Sequence, residues 1–343
     1  ILLIFISCYT IDSRIINGNL ILPLSTAIIS ANILTKWGVK EFERMQLSQI
    51  IRKEGPKKHQ TKSGTPTMGG IIIVPLGLII ANIINFQNEF NKELLCINFL
   101  CIGFMLIGAI DDWRSYSRKQ NAGLTPQEKI LLQLLVGATF LLFCFSNNLI
   151  DSTIYIFNNQ SIDLGYFIWP LGLFILLAES NATNLTDGLD GLASGCGAIV
   201  FTGLSIELIV RGNVQDFAMA KVCIAMAGIW LGFLLNNKNP AKIFMGDTGS
   251  LAMGAVMAGI GLISNTLWGL LIMGIIFLVE SLSVIMQVSF FKLSKKFTGK
   301  GYRILKMSPL HHHYEMNGKK EVAIVRNFWI ISIVFVLIRL FIL

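Results

Sequence analysis

An all-α, polytopic integral membrane protein of about ten transmembrane helices is the fold class this sequence predicts, and three features predict it. Apolar residues make up 53% of the 343-residue chain and charged residues only 14%, against the roughly 25% charged usual in soluble domains. Mean hydropathy is +0.65, and several apolar runs approach the ~20 residues that a helix needs to cross hydrocarbon. No strand-like alternation of apolar and polar residues is present. Backbone in lipid must satisfy itself, so helices are the expected spanning elements.

In chain order the expected spans cover 17–35, 67–85, 94–110, 130–147, 165–178, 189–210, 218–235, 249–263, 266–288 and 322–343. The fifth is short and the ninth is interrupted by Glu280. No internal repeat, low-complexity tract or inserted soluble domain divides the chain, so 1–343 reads as one membrane domain. Residues 1–16 form a short N-terminal segment with no basic leader or cleavage site, so no signal peptide is expected. The missing initiator Met suggests truncation at that end. The six cysteines lie mostly inside apolar runs without a CxxC spacing, as small apolar residues do.

The formal charge of +8 is unevenly spread. The connections 36–66, 111–129, 179–188, 236–248 and 289–321 carry nearly all the Lys and Arg. The opposite set holds Arg14, Lys92 and Arg211. By the positive-inside rule the first set is cytoplasmic and an even number of spans puts both termini outside. Topology and anionic headgroups account for the charge, so no nucleic-acid partner is expected. Every conspicuous polar motif also falls on the basic side. A transporter places ionisable groups near mid-membrane, and Glu280 alone is a candidate for that; Glu207 lies near an outer end.

Five motifs lie on the basic side. Lys62-Ser63-Gly64-Thr65-Pro66-Thr67-Met68-Gly69-Gly70 reads either as a capped helix start or as a turn holding phosphate through backbone N–H groups. Asp111 and Asp112 follow an apolar run, at the unfavourable pole of a helix ending there unless a cation or metal is near. Arg114, Arg118, Lys119 and Lys129 follow, as a solvated loop or as partners for phosphate. Asn184-Leu185-Thr186-Asp187-Gly188-Leu189-Asp190-Gly191 offers more polar groups than one N-cap needs. Asn237 and Phe244-Met245-Gly246-Asp247 precede the eighth span: Asp247 suits a cap or a metal ligand, and Phe244 a packing or stacking ring. His311-His312-His313 follows Pro309-Leu310; three consecutive rings diverge, so hydrogen bonding to phosphate or sugar is expected before a shared metal.

Together these motifs resemble the phospho-N-acetylmuramoyl-pentapeptide-transferase family, within the polyprenyl-phosphate N-acetylhexosamine-1-phosphate transferases, in register from about Arg14 onward. The resemblance implies a bacterial cytoplasmic-membrane enzyme with its active site facing the cytoplasm. It would transfer phospho-MurNAc-pentapeptide from UDP-MurNAc-pentapeptide to undecaprenyl phosphate, giving lipid I and UMP with Mg²⁺, and would form a homodimer in the membrane lipid. It further implies Asp247 as metal ligand, Asp111 as base or orienting group and Asp112 in support. Lys62, Lys119, Lys129, Asn184, Asp187, Asp190, Asn237 and Phe244 would bind substrate, and His311, His312 and His313 would belong to the active site. Two alternatives stay open: the same chemistry on UDP-N-acetylglucosamine, and a transporter or lipid flippase. So does the choice between direct attack by the lipid phosphate and a covalent phospho-enzyme on Asp111.

Overall fold

The computed structural model describes residues 1–13, 19–47, 62, 64–86, 91–118, 123–156 and 160–343. Ahead of the first expected span lies a short helix, α1 (Leu2–Asp12), whose Asp12 carboxylate accepts the N–H groups of Leu20 at 2.8 Å and Ile21 at 2.9 Å. That contact fixes the start of α2 (Ile21–Arg44). Then follow α3 (Gly70–Asn85), α4 (Lys92–Ser117) and α5 (Pro126–Ser146). Asn91 caps α4 by accepting from the Leu94 N–H, and Thr125 with Glu128 forms a capping box on α5 with Pro126 in its first turn. Such caps satisfy amide groups that a helix start leaves open.

A two-stranded antiparallel hairpin, β1 (Thr153–Tyr155) with β2 (Ser161–Asp163), precedes α6 (Ile168–Thr186). The hairpin was not expected, because three-residue strands are too short to show periodicity. The remaining helices are α7 (Leu192–Arg211), α8 (Val214–Asn237), α9 (Gly246–Ile263), α10 (Leu267–Met273), α11 (Ile275–Thr298), α12 (Leu310–Met316) and α13 (Glu321–Ile342). The ninth span is broken, but not at Glu280. The break falls at Gly274, whose φ of −82° and ψ of 13° depart from helical geometry. Glu280 sits inside the continuous α11.

Among the described residues seven helices are long and apolar enough to cross a membrane: α4, α5, α7, most of α8, α9, α11 and α13. The chain is therefore a mostly helical, multi-pass membrane protein. Its centre is formed by α7, α8 and α9, of which 83%, 89% and 83% of the apolar window is buried, against 28% in each of α5, α11 and α13. The outer helices turn their exposed apolar residues (Leu131, Leu135, Leu142 on α5; Ile330, Val334, Leu337 on α13) away from that centre, as lipid-facing helices do. The N-terminal end of α9 is held between α4 and α6, and this junction positions the site.

Candidate active site

The sequence places Asp111 and Asp112 at a helix terminus, but α4 continues through them to Ser117. The negative pole lies more than a turn beyond the pair, which weakens the electrostatic objection to it. Asp112 reaches across to α9. Its carboxylate accepts the Asp247 N–H at 3.1 Å, the Thr248 N–H at 3.0 Å and the Thr248 hydroxyl at 2.6 Å. Asp247 itself does not cap α9; Met245 stands at the N-cap position without a side-chain bond. The cap comes from a residue 135 positions earlier. Gly246 is required here: its φ of +72° is left-handed, and a β-carbon would collide with the Asp112 carboxylate.

Around Asp247 the other groups converge. Asn184, near the C-terminal end of α6, donates to Asp247 Oδ1 at 2.8 Å and to Ser250 Oγ at 2.9 Å. The Lys129 ammonium forms an ion pair with Asp247 Oδ2. Asp111 accepts the Leu124 N–H at 3.1 Å, tying the loop before α5 to the site. One carboxylate oxygen from each of Asp111, Asp112 and Asp247 lies within 4.8 Å of the others. Three carboxylates at that spacing repel one another, and among the described residues Lys129 sets a positive charge against them. An all-oxygen donor set of this kind suits a hard divalent cation. The residues present fit the metal that the resemblance implies, with Asp111 and Asp112 added to Asp247.

Beside this cluster lies a second polar knot. The Lys62 ammonium is 2.7 Å from Asp190 Oδ1 and 2.6 Å from Glu321 Oε1. Asn239 and the Ala241 N–H donate to the other Asp190 oxygen at 2.9 and 3.1 Å. Loss of solvent would lower the Lys62 pKa, but hydrogen bonds and charge from Asp190 and Glu321 outweigh it and hold the ammonium above its ordinary value. Asn237 is likewise engaged by the protein, donating to the Ile243 carbonyl and accepting from the Gly191 N–H and the Ser194 hydroxyl. Phe244 is bound through its backbone: its N–H donates to the Pro66 carbonyl and its carbonyl accepts the Gly69 N–H, while Gly70 N–H reaches the Met245 carbonyl. The Thr65–Gly70 run thus docks edge-on against the segment leading to Asp247.

Asp187 stands at the C-cap of α6. Burial pushes its pKa up to about 8, with the charges of Asp247, Asp112 and Asp190 adding to the effect. The His311 and His312 rings do not diverge: they pack edge to face with centroids 4.2 Å apart, although the hydrogen-bonding partners of the three histidines differ. His312 Nδ1 and Glu315 Oε2 are 2.7 Å apart. His313 Nδ1 accepts the Lys306 N–H at 3.1 Å, and its Nε2 lies 3.0 Å from Asn317 Nδ2. His311 is fully buried beside Glu280. Lys119 lies outside the described residues. Sequence reasoning missed Thr248, Glu321 and the role of Glu280. For Glu321 the signal was an acid opening an apolar span directly after Lys319-Lys320.

Residues 94–265 match the family model described as glycosyl transferase family 4, and residues 62–74 match phospho-N-acetylmuramoyl-pentapeptide-transferase signature 1. A phospho-N-acetylmuramoyl-pentapeptide-transferase of Prochlorococcus marinus (strain SARG) is 58% identical over 327 residues, 95% of this chain and 88% of the relative. One from Synechococcus sp. (strain CC9605) is 50% identical over 339 residues, 99% of this chain and 97% of the relative. The segments matched include Lys62, both members of the Asp111–Asp112 pair, the Asn184–Gly191 turn and Asp247.

Proposed function

This chain belongs to the phospho-N-acetylmuramoyl-pentapeptide-transferase family, and from that premise we propose that the cluster of Asp111, Asp112 and Asp247 is its catalytic centre. The activity is transfer of phospho-MurNAc-pentapeptide from a nucleotide sugar to a polyprenyl phosphate carrier, giving lipid I. We assign UDP-MurNAc-pentapeptide as donor, undecaprenyl phosphate as acceptor and UMP as leaving nucleotide. The observation that carries the site assignment is the meeting of three carboxylates from α4 and α9 against Asn184 and Lys129.

In the reaction an oxygen of the acceptor phosphate forms a bond to the sugar-bearing phosphorus. The bond from that phosphorus to the bridging oxygen breaks, and its electron pair leaves with UMP. Transfers of this kind depend on alignment and charge neutralisation. Mg²⁺ held by Asp111, Asp112 and Asp247 would neutralise diphosphate charge. A phosphate monoester has a second pKa of about 6, so most of the acceptor is already a dianion near neutrality. Asp111 orients it and takes any remaining proton. Asp112 acts through α9, by holding Asp247 and Thr248 in place. Lys129 adds a fixed cation beside Asp247.

Lys62, Lys119, Asn184, Asp187, Asp190, Asn237 and Phe244 form the donor subsite in this reading. Asp190 and Asn237 shape it through the segments they bind together. Ten spans with both termini outside and the site at the cytoplasmic ends fit the Lys and Arg distribution. That position lets a headgroup-level lipid phosphate meet a cytosolic nucleotide. The homodimer is carried over from the family resemblance.

The test offers purified protein UDP-MurNAc-pentapeptide or UDP-N-acetylglucosamine with undecaprenyl phosphate. UMP release with the first alone is expected. Release with the second alone would reassign the donor, and solute movement across sealed vesicles without UMP would restore the transporter reading.

A further inference from the structure

Glu280 and His311 form a fully buried pair between α11 and α12. The His311 backbone N–H donates to Glu280 Oε1 at 3.2 Å, and His311 Nδ1 lies 3.1 Å from Glu280 Oε2. A carboxylate offers acceptors only, so Nδ1 carries the ring proton and Nε2 is left bare. Nε2 is buried without a hydrogen-bond partner among the described residues. A buried nitrogen in that state is costly unless its surroundings tolerate it, so its placement calls for a reason.

The reason is on the opposite wall. The edge of the imidazole presses on Gly188, and a β-carbon at that position would overlap His311 Nε2 and crowd Cε1. A bare nitrogen can face the Gly188 Cα–H closely, as a weak acceptor. A protonated Nε2 would drive an N–H into the same space with no acceptor to meet it. Gly188 lies between Asp187 and Asp190 in the turn that joins α6 to α7, and the Gly188 N–H closes that turn on the Thr186 carbonyl at 2.8 Å.

We propose that Glu280 is a positioning residue for the reaction, holding His311 in the Nδ1–H form so that its bare Nε2 edge seats the Asp187–Asp190 turn against the active site. The inference rests on the reading of that cluster as the catalytic centre. It also distinguishes the three histidines: His311 sets the turn from behind, whereas His312 and His313 bond to Glu315, Lys306 and Asn317.

Glu280→Gln tests it, because a glutamine has one acceptor and one donor group where both glutamate oxygens accept. The backbone N–H lies 3.2 Å from Oε1 and 3.5 Å from Oε2, so the amide oxygen takes the nearer place to serve it and the amide NH₂ faces Nδ1. The ring proton then moves to Nε2. Histidine-labelled ¹⁵N spectra of the full chain in detergent, assigned with His311→Asn, should give the Nδ1–H form in the wild type and the Nε2–H form in Glu280→Gln. UMP release by Glu280→Gln should fall roughly 10²-fold, the scale of a small misplacement of binding groups, in a variant that stays folded with a Tm lowered by the buried Nε2–H that meets no acceptor. Glu280→Asp keeps two acceptors and should keep the Nδ1–H form and stay within about tenfold of wild-type turnover.

A wild-type His311 protonated on Nε2, or a Glu280→Gln variant with the tautomer unchanged, would overturn the proposal. So would an inverted tautomer with undiminished UMP release. Should Glu280→Gln not fold, the wild-type spectrum and Glu280→Asp still decide the matter. If the wild type releases no UMP, the catalytic reading fails instead, and the spectra judge the Glu280–His311 pair separately.

Discussion

Asp112 caps a helix to which it is joined only through space: its carboxylate holds the Thr248 hydroxyl at 2.6 Å and the Thr248 N–H at 3.0 Å. The charge sits where the positive end of the α9 dipole favours it, and it fixes the backbone of Asp247 at the same time. Thr248→Val removes the hydroxyl bond and leaves both backbone donors. We expect a loss of about 1.5–3 kcal/mol of stability, the range for a hydrogen bond to a charged group, with UMP release reduced. Chemical denaturation in detergent measures the first. Unchanged stability would mean that the capping bond contributes nothing.

Lys129 supplies the positive charge nearest the three carboxylates. In Lys129→Met the repulsion among Asp111, Asp112 and Asp247 is left to a bound cation alone. Turnover should drop at least ~10-fold, a small fraction of what electrostatic stabilisation gives a preorganised site. Steady-state kinetics at saturating substrate decide the point, and wild-type kcat would remove Lys129 from the machinery.

Asp187 gives stability a pH dependence of defined sign. Its folded pKa of about 8 stands above the ordinary value of 3.8, so between those limits the folded state binds more protons than the unfolded one. Stability from this residue therefore falls as pH rises from 3.8 through about 8. In EDTA, Asp187→Asn should show a flatter decline of Tm between about pH 5 and pH 8 than the wild type. Parallel slopes would contradict the assignment.

The buried pair of Glu207 and Arg339 joins α7 to α13, with Arg339 Nη2 2.6 Å from Glu207 Oε1 and Nε 3.0 Å from Oε2. Glu207→Gln leaves a buried guanidinium unpaired and should cost about 3–5 kcal/mol, whereas the double change Glu207→Gln with Arg339→Met should recover most of it. UMP release by the double variant should remain near wild type, since neither residue touches the site. Denaturation together with turnover tests both parts. A double variant as unstable as the single one would show that the pair does more than neutralise itself.

Much of this site was legible in the sequence because each part of it is local. Asp111-Asp112 ends an apolar run, Asp247 precedes one, and Asn184 to Gly191 packs polar groups between two spans. What was not legible depends on partners distant in the chain. Asp190 and Asn237 looked like ligands, yet their polar atoms are bound by Lys62, Asn239, Ala241, Gly191, Ser194 and Ile243. Glu280 was the one candidate for a mid-membrane transport site and interrupted the ninth expected span. The break is at Gly274, and the acid is satisfied by His311, 31 residues later. The hydropathy pattern places an acid within a span but does not name the group that meets it.

The account depends most on a cation held jointly by Asp111, Asp112 and Asp247. UMP release from UDP-MurNAc-pentapeptide and undecaprenyl phosphate should be measured for the wild type and for Asp247→Asn, each across a Mg²⁺ titration from EDTA upward. We expect wild-type release to rise from background to saturation with Mg²⁺, and Asp247→Asn to stay folded yet release UMP at least ~10²-fold more slowly at every concentration. Wild-type turnover in EDTA, or an Asp247→Asn variant with the same rate and the same Mg²⁺ dependence, would contradict it.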